Sequence, residues 1–437
     1  MEEKKHQLLA EMTTDLHACC VEALSDRRFL CGLYQLNEKE NERRGRLLLC
    51  DIGDSFTTAG EDSESLSRKV TVIDAKDVEG GVLDCKVSGY IIAAALSTGK
   101  LDFFRVTDDL AFLQPYTYFT APEEGLFLSV DWMYSSQRTY QPLARIKTTP
   151  SSEYNFTNAH LIAVSTQESS ILVYDTSRFD MHSNVPPAES TVPEATNIQP
   201  YKQNEIDVPV VHFKNTHALA GESVPAWIVA FDPYSTGTRL LSGGDDCAVR
   251  LWDTRCADVA IAANTTSHSA GVTSAQWHPV QENFFATGSY DGILRLWDAR
   301  SMRKPVWELD TGGGIWRTKW WSEVTGESKG VWQDIGTDST NEHEKHSTTY
   351  LGLACMHAGS ALYAVDEGKG LAGSTLRLIG RHYQHSETPS GHLAYGFALL
   401  QGHPGVQSEQ IRESPQGPSF LAVSCSFYDN LVQVWAV

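Results

Sequence analysis

The segment LLSGGDDCAVRLWDTR, residues 240–255, returns as FATGSYDGILRLWDAR, residues 285–300, and Trp252 and Trp297 stand 45 residues apart. Each copy runs from a small-residue strand through a Gly/Asp turn into an alternating apolar strand that ends on Trp-Asp. Alternation at period two marks a strand with two distinct faces. A unit this short cannot bury both faces by itself, so copies must stack on one another. A stack of sheets keeps open edges unless it closes into a ring. The period therefore points to a circle of small sheets.

The unit resembles the WD40 repeat. A third copy, LAVSCSFYDNLVQVWAV (421–437), carries Asp429 in its turn and Trp435 in its strand. It stops where a blade's third strand stops, so the fourth is expected from the N-terminus. Weaker strand–turn–strand units lie at 29–52, 80–106 and 127–175, and another runs from Thr318 to Val365. The expected fold is all-β: a seven-bladed WD40 β-propeller, a single domain over 1–437, closed by an N-terminal strand. Polar stretches near 135–155, 179–207, 322–347 and 401–419 interrupt the period and read as loop insertions.

With 41% apolar and 10% aromatic residues against 21% charged, the chain can bury a large core, and its 11 tryptophans favour strands. A net charge of −20 argues against nucleic acid, which needs a concentrated Lys/Arg surface, and favours a basic or cationic partner. The absence of a signal-like h-region and of any apolar run of about 18 residues argues against export and membranes. A cytoplasmic monomer is expected. Nine scattered cysteines fit reduced thiols and show no zinc spacing, so neither a metal nor another cofactor is expected.

In such repeats the turn Asp, a His of the preceding loop, a strand hydroxyl and the Trp form a hydrogen-bonded network, which gives Asp246, Asp291 and His268 a structural role by default. Other segments are more distinctive. CCVEALSDRRFLCGLYQL (19–36), PAWIVAFDP (225–233), HSAGV (268–272), GGGIWRTKW (312–320), LACMHAG (353–359), Tyr395-Gly396 and CSFYD (425–429) together resemble the diphthine methylesterases of diphthamide biosynthesis. Two departures stand out. The Asp-Trp that the family places just after Tyr-Gly is replaced in Gly396-Phe397-Ala398-Leu399, which suggests that this Asp is structural. The insertion LAGESVP separates His217 from the AWI segment.

The resemblance implies hydrolysis of the methyl ester of methylated diphthine, a modified histidine of translation elongation factor 2, ahead of amidation. That side chain carries a trimethylammonium group, which an acidic, aromatic face can hold by cation–π and Coulomb attraction. Tyr290, Trp316, Tyr428, Asp291 and Asp429 are candidate walls, with His268, Gly313 and Gly314 beside them. Ester hydrolysis also needs a base, a nucleophile or activated water, and donors for the oxyanion. His357, at the place of a turn Asp, or His385 is the candidate base, with Asp291 or Asp429 orienting it. The run Gly312-Gly313-Gly314 offers backbone N–H groups and Arg317 a positive charge. Cys355 or Ser426 is a candidate nucleophile, and a His-activated water is favoured over both.

Two motifs are set aside. Gly326–Gly330 fits G-x-S-x-G but lies in a polar insertion with no strand before it and no helix after it. His343/His346 and His382/His385 lack a third metal ligand. The main alternative function is a non-catalytic adaptor, such as a ubiquitin-ligase substrate receptor, with Arg255 and Arg300 of the two Trp-Asp-x-Arg endings exposed on the ring. Another is recognition of methylated lysine on histone-like tails.

Overall fold

Strand alternation, repeated around the chain, produces seven four-stranded antiparallel sheets. The computed structural model describes residues 7–40, 42–53, 57–58, 66–67, 69–107, 110–123, 125–133, 161–177, 208–256, 259–323, 348–366, 375–382, 392–400 and 420–436. Among these, every regular element is a strand. The four sequence stretches read as insertions fall almost wholly outside them.

From innermost to outermost strand, blade 1 is His17–Ala23, Arg28–Asn37, Glu42–Ile52 and Val70–Val78, and blade 2 is Val82–Ser88, Ile91–Leu96, Lys100–Val106 and Leu113–Thr120. Blade 3 is Phe127–Trp132, Leu161–Thr166, Ile171–Asp175 and Val211–Phe213, and blade 4 is Ala226–Phe231, Arg239–Gly244, Val249–Asp253 and Ala262–Asn264. Blade 5 is Val272–Trp277, Phe284–Ser289, Ile293–Asp298 and Trp307–Asp310, and blade 6 is Arg317–Glu323, Thr348–Ala354, Ser360–Asp366 and Thr375–His382. Blade 7 takes Ala394–Leu400, Leu421–Ser426 and Leu431–Ala436 from the C-terminal end and Gln7–Thr13 from the N-terminal end. The expected closure is present: Leu8 lies opposite Trp435, Thr13 lies opposite Leu431, and Thr14 N donates to Asn430 O at 2.8 Å.

Burial follows position in the blade. Ile91–Leu96 is buried on both faces, because a blade is sandwiched between two others, and it therefore reads as the unbroken apolar run IIAAAL. In the outermost Leu113–Thr120 only Leu113 and Phe119 are buried. The apolar side chains gather into seven clusters, one at each junction between neighbouring blades. Phe29 and Val423 share the cluster at the closing junction, Ile171 and Trp252 the one between blades 3 and 4, and Leu362 and Trp435 the one between blades 6 and 7.

The innermost strands have no sheet neighbour on the axis side, and side chains of one blade supply partners to amides of the next. Asp84 accepts from Val130 N at 3.2 Å, Ser129 from Val229 N at 2.9 Å and Asp131 from Phe231 N at 2.8 Å. Ser274 accepts from Thr318 N at 2.8 Å, and Gln276 from Trp320 N at 2.7 Å. These bonds satisfy backbone donors that the hollow centre would otherwise leave unpaired. The LAGESVP insertion forms a small exposed hairpin, Ala218–Leu219 with Glu222–Ser223, turning at Gly221 with φ +91°.

Candidate functional site

One irregularity recurs near the start of each innermost strand. The register skips a residue at Cys19, Leu83, Leu128, Trp227, Thr273 and Tyr395. In blade 6, Trp316 N donates to Ala354 O at 2.8 Å while Arg317 is paired with the same Ala354, which makes Trp316 the seventh member. A bulge re-aims its side chain. Here that side chain lies at the rim of the central channel, so seven bulges make one ring of residues.

Around half of that ring the side chains are aromatic. Trp227 of blade 4 and Trp316 of blade 6 meet at a centroid distance of 5.6 Å across blade 5, whose own bulge residue is the small Thr273. Tyr290, from the turn of blade 5, touches both, at 6.4 and 5.9 Å. The arc continues from Trp316 to Tyr395 at 4.6 Å, to Phe427 at 5.0 Å, and on to Tyr428 at 5.1 Å and His17 at 4.6 Å. Tyr290 and Tyr428 are 38% and 57% exposed, so ring surface is open to solvent on both sides of the arc. Trp227 Nε1 donates to Asp245 at 2.6 Å, whereas the buried Trp316 Nε1 has no acceptor among the described residues. The rings pack against one another; a cation would therefore seat on an open face and not between two rings.

Below the arc the channel is charged. Arg317 crosses from blade 6 to blade 2, where it approaches Asp84 at 3.5 Å and Leu83 O at 3.4 Å. Lys86 holds Asp84 at 3.0 Å, and Lys319 pairs with Glu22 of blade 1. Burial alone would raise the Asp84 carboxyl; Lys86, Arg317 and Lys319 outweigh it and hold it below its ordinary value. Asp131 goes the other way, raised to about 7 by burial that Lys86 only partly offsets. Among the described residues no group of three or more His, Cys, Asp or Glu is arranged for a metal ion.

The turns between second and third strands lie at the same rim, and they treat their acids differently. In blade 4, His217 Nδ1 lies 2.7 Å from Asp246 and Nε2 lies 2.7 Å from Ser242 Oγ, which accepts from Trp252 Nε1 at 2.9 Å. Burial holds the His217 imidazole below its ordinary pKa. In blade 5, His268 and Trp297 share Thr287 Oγ1 at 3.0 and 2.8 Å, and burial, with Arg295, pushes His268 down to about 3. Asp291 is bound to Arg295 at 2.8 Å and accepts from Ser269 N and Ile293 N. His268 and Asp291 are thus tied into their blade, as the default reading of the repeat expects.

The remaining sequence candidates are spread unevenly. Tyr290, Trp316 and Tyr428 join the arc. Arg317 lies beneath it, already engaged with Asp84. His357 is exposed at its turn and has no hydrogen-bond partner among the described residues. Cys355 is fully buried in the core between blades 5 and 6, with its thiol raised to about 11 by burial, which works against a nucleophilic thiolate. Ser426 is likewise fully buried. Gly313 packs so closely that an added Cβ would lie 2.4 Å from Cys355 O, and at Gly314 it would lie 2.9 Å from Met356 Sδ. Close approach of the two blades is therefore what these positions require. His385 lies outside the described residues, as do the G-x-S-x-G match and His343/His346. Asp429 is 2.7 Å from His392, a residue that sequence reasoning passed over together with Trp227, Asp245, Tyr395, Phe427 and His17. The ring residues share a place just before the regular part of an innermost strand, but alternation alone does not single out a bulge. Arg255 and Arg300 are exposed but each is forked onto its own Asp, Asp253 and Asp298, at 2.6 Å.

Comparison with known proteins agrees with this architecture. The family described as "WD domain, G-beta repeat" matches residues 213–253 and 262–298. A Mus musculus protein named "Diphthine methyltransferase" is 28% identical over 331 residues, which is 71% of this chain and 57% of that protein. The Dictyostelium discoideum "Diphthine methyltransferase homolog" is 30% identical over 220 residues, 48% of this chain and 49% of its own length. The chain thus spans about half the length of these two relatives. The Saccharomyces cerevisiae "Diphthine methyltransferase" matches from end to end, 22% identical over 461 aligned positions and 99% of each chain. Among solved structures, one chain of a mitotic checkpoint complex superposes with a TM-score of 0.53 at 15% identity, covering 100% of this chain and 94% of that one, a likeness of fold alone.

Proposed function

We propose that this chain, a WD-repeat propeller related to proteins named diphthine methyltransferase, hydrolyses the methyl ester of methylated diphthine on elongation factor 2. It acts in the cytoplasm as a protein methylesterase, ahead of amidation. The observation that carries the reading is the aromatic arc at the channel rim. A trimethylammonium group is bulky and weakly hydrated, and it binds to ring faces. The arc offers such faces on Tyr290, Trp316 and Tyr428, and the Asp245 carboxylate lies at its Trp227 end, on a protein of net charge −20 that draws a basic partner. Arg317 beneath Trp316 supports the chemistry, because its fixed positive charge favours the negative charge that develops on the ester oxygen.

The relatives' printed name supplies a second reading, methyl transfer onto diphthine. One experiment separates the two. The protein is incubated with elongation factor 2 carrying methylated diphthine, and separately with the free acid and a methyl donor, and the modified peptide is weighed. Loss of one CH2 from the ester establishes the hydrolase. Gain of one CH2 by the acid establishes the transferase, and no change with complex formation intact leaves a non-catalytic adaptor.

A further inference from the structure

We infer that the Asp245 carboxylate, set between the rings of Trp227 and Tyr290, is the charge that selects a quaternary ammonium at this rim, a specificity role that rests on the cation reading of the arc above. Blades 4, 5 and 7 present the residue that follows their second strand in one way. Its backbone N–H donates to the carbonyl just before the innermost strand of the same blade: Asp245 to Pro225 O at 3.2 Å, Tyr290 to Gly271 O at 3.0 Å and Phe427 to Leu393 O at 3.1 Å. Blades 5 and 7 put a ring of the arc in that place. Blade 4 puts a carboxylate there, so the arc has an anionic wall built to the same plan as its rings.

The surroundings of Asp245 fix where that charge points. Trp227 Nε1 donates to Asp245 Oδ1 at 2.6 Å, and Trp227 in turn meets Tyr290 edge-on at 6.4 Å. A Cβ at Gly271 would lie 2.6 Å from Asp245 Oδ1 and 3.2 Å from Tyr290 Cδ2, so the carboxylate and the tyrosine ring converge over a rim position that has no side chain. Burial, and after it the nearby Asp245 charge, push the Tyr290 phenol up from its ordinary value. The acids of the neighbouring turn positions are matched within their own blades, Asp246 by Arg250 at 2.7 Å and Asp291 by Arg295 at 2.8 Å. Asp245 is partly exposed and forms no ion pair among the described residues. An indole N–H orders its carboxylate without cancelling the charge.

That arrangement suits a quaternary ammonium better than a primary one. A trimethylammonium has a fixed charge and no N–H, so it is attracted without needing a free acceptor. Its methyl groups can lie on the open face of Tyr290 while the charge stays near Asp245. A primary ammonium is strongly hydrated and would compete with Trp227 Nε1 for Oδ1. The cation is therefore placed at the blade 4–5 end of the arc.

The test is calorimetric binding of two peptides, one ending on a trimethylammonium and the other on a neutral tert-butyl group of the same shape. Neither carries an ester, so the outcome is independent of turnover. The proteins are wild type, Asp245→Asn and, as a control for net charge, Glu282→Gln in the exposed loop between the first two strands of blade 5. Asparagine keeps an oxygen for Trp227 Nε1 and removes only the charge. One unit charge at about 4 Å is worth about 5-fold in bulk water, so the preference for the cation should fall by about 5-fold or more in Asp245→Asn and hold in Glu282→Gln. An unmoved preference in Asp245→Asn, with both peptides held or both weakened alike, or an equal fall in Glu282→Gln, overturns the inference while the arc remains a cation site. If Asp245→Asn does not fold, wild type decides: nuclear Overhauser contacts from the N-methyl protons to the Trp227 and Tyr290 rings uphold the assignment, and contacts confined to Tyr428 overturn it. Equal affinity of wild type for both peptides overturns the reading of the arc itself.

Discussion

Replacing Trp316 with Ala removes the ring that joins the two halves of the arc. Trp316 touches Trp227 at 5.6 Å, Tyr290 at 5.9 Å and Tyr395 at 4.6 Å. Three aromatic contacts at about 0.5–1.5 kcal/mol each predict a stability loss of about 1.5–4.5 kcal/mol, so binding must be measured well below the unfolding midpoint. The ligands are two peptides that differ only in ending on a trimethylammonium or on its neutral tert-butyl isostere. Lost apolar contact weakens both alike. The cation–π part, about 0.5–2 kcal/mol, is lost for the cation only. The ratio of the two affinities, read by calorimetry, should therefore fall by about 2–30-fold in Trp316→Ala. Trp316→Phe should keep much of it. Equal affinity of wild type for both peptides, or a ratio that Trp316→Ala leaves unmoved, would refute the assignment of the arc to a cation.

Other consequences are open to measurement. Ser242→Ala deprives both Trp252 Nε1 and His217 Nε2 of a partner, and at about 1–3 kcal/mol per stranded buried group should cost about 2–6 kcal/mol. Ser424→Ala strands the Trp435 indole contact and should cost about half as much; equal shifts in denaturation midpoint would show that the shared hydroxyl is not what matters. Glu22→Gln leaves Lys319 charged in the channel and should destabilise by about 3–5 kcal/mol, and adding Lys319→Met should recover much of that. Asp131, raised to about 7 in the fold, holds its proton over a range where the unfolded chain has lost it. Its contribution to stability is complete below the unfolded carboxylate value of about 3.9 and is lost as pH rises through about 7, so Asp131→Asn should flatten the fall in stability over that window. A slope that persists unchanged in the variant assigns it to other groups.

The ring was legible because its cause is periodic. Trp252, Trp297 and Trp435 occupy the same place in three blades, and the C-terminal copy lacks a fourth strand, which implied closure by the other end. The rim was legible only in part. Tyr290, Trp316 and Tyr428 stood out in unusual segments, whereas Trp227 and Tyr395 matter because a one-residue bulge turns them, and a bulge leaves no mark on an alternating pattern. His392 escaped for a related reason. It comes within 2.7 Å of Asp429 across 37 residues of chain, a closeness that no local pattern announces. Cys355 was attractive as a sequence neighbour of His357, but strand geometry sends it into the core between blades 5 and 6.

The closing strand has a consequence for synthesis. Thr14 and Asn430, which bond to each other, are 416 residues apart along the chain. At about 5–20 residues per second a ribosome needs roughly 20–80 s to deliver the second after the first. Throughout that interval Gln7–Thr13 is a strand without a sheet, and the apolar face of blade 1 that will meet Val423 and Val432 has no cover. The last contact to form is thus also the one with the greatest loop to close, which places the slow, exposed phase of this protein's life before its first turnover. A nascent chain in that state is the form that a holding chaperone would meet.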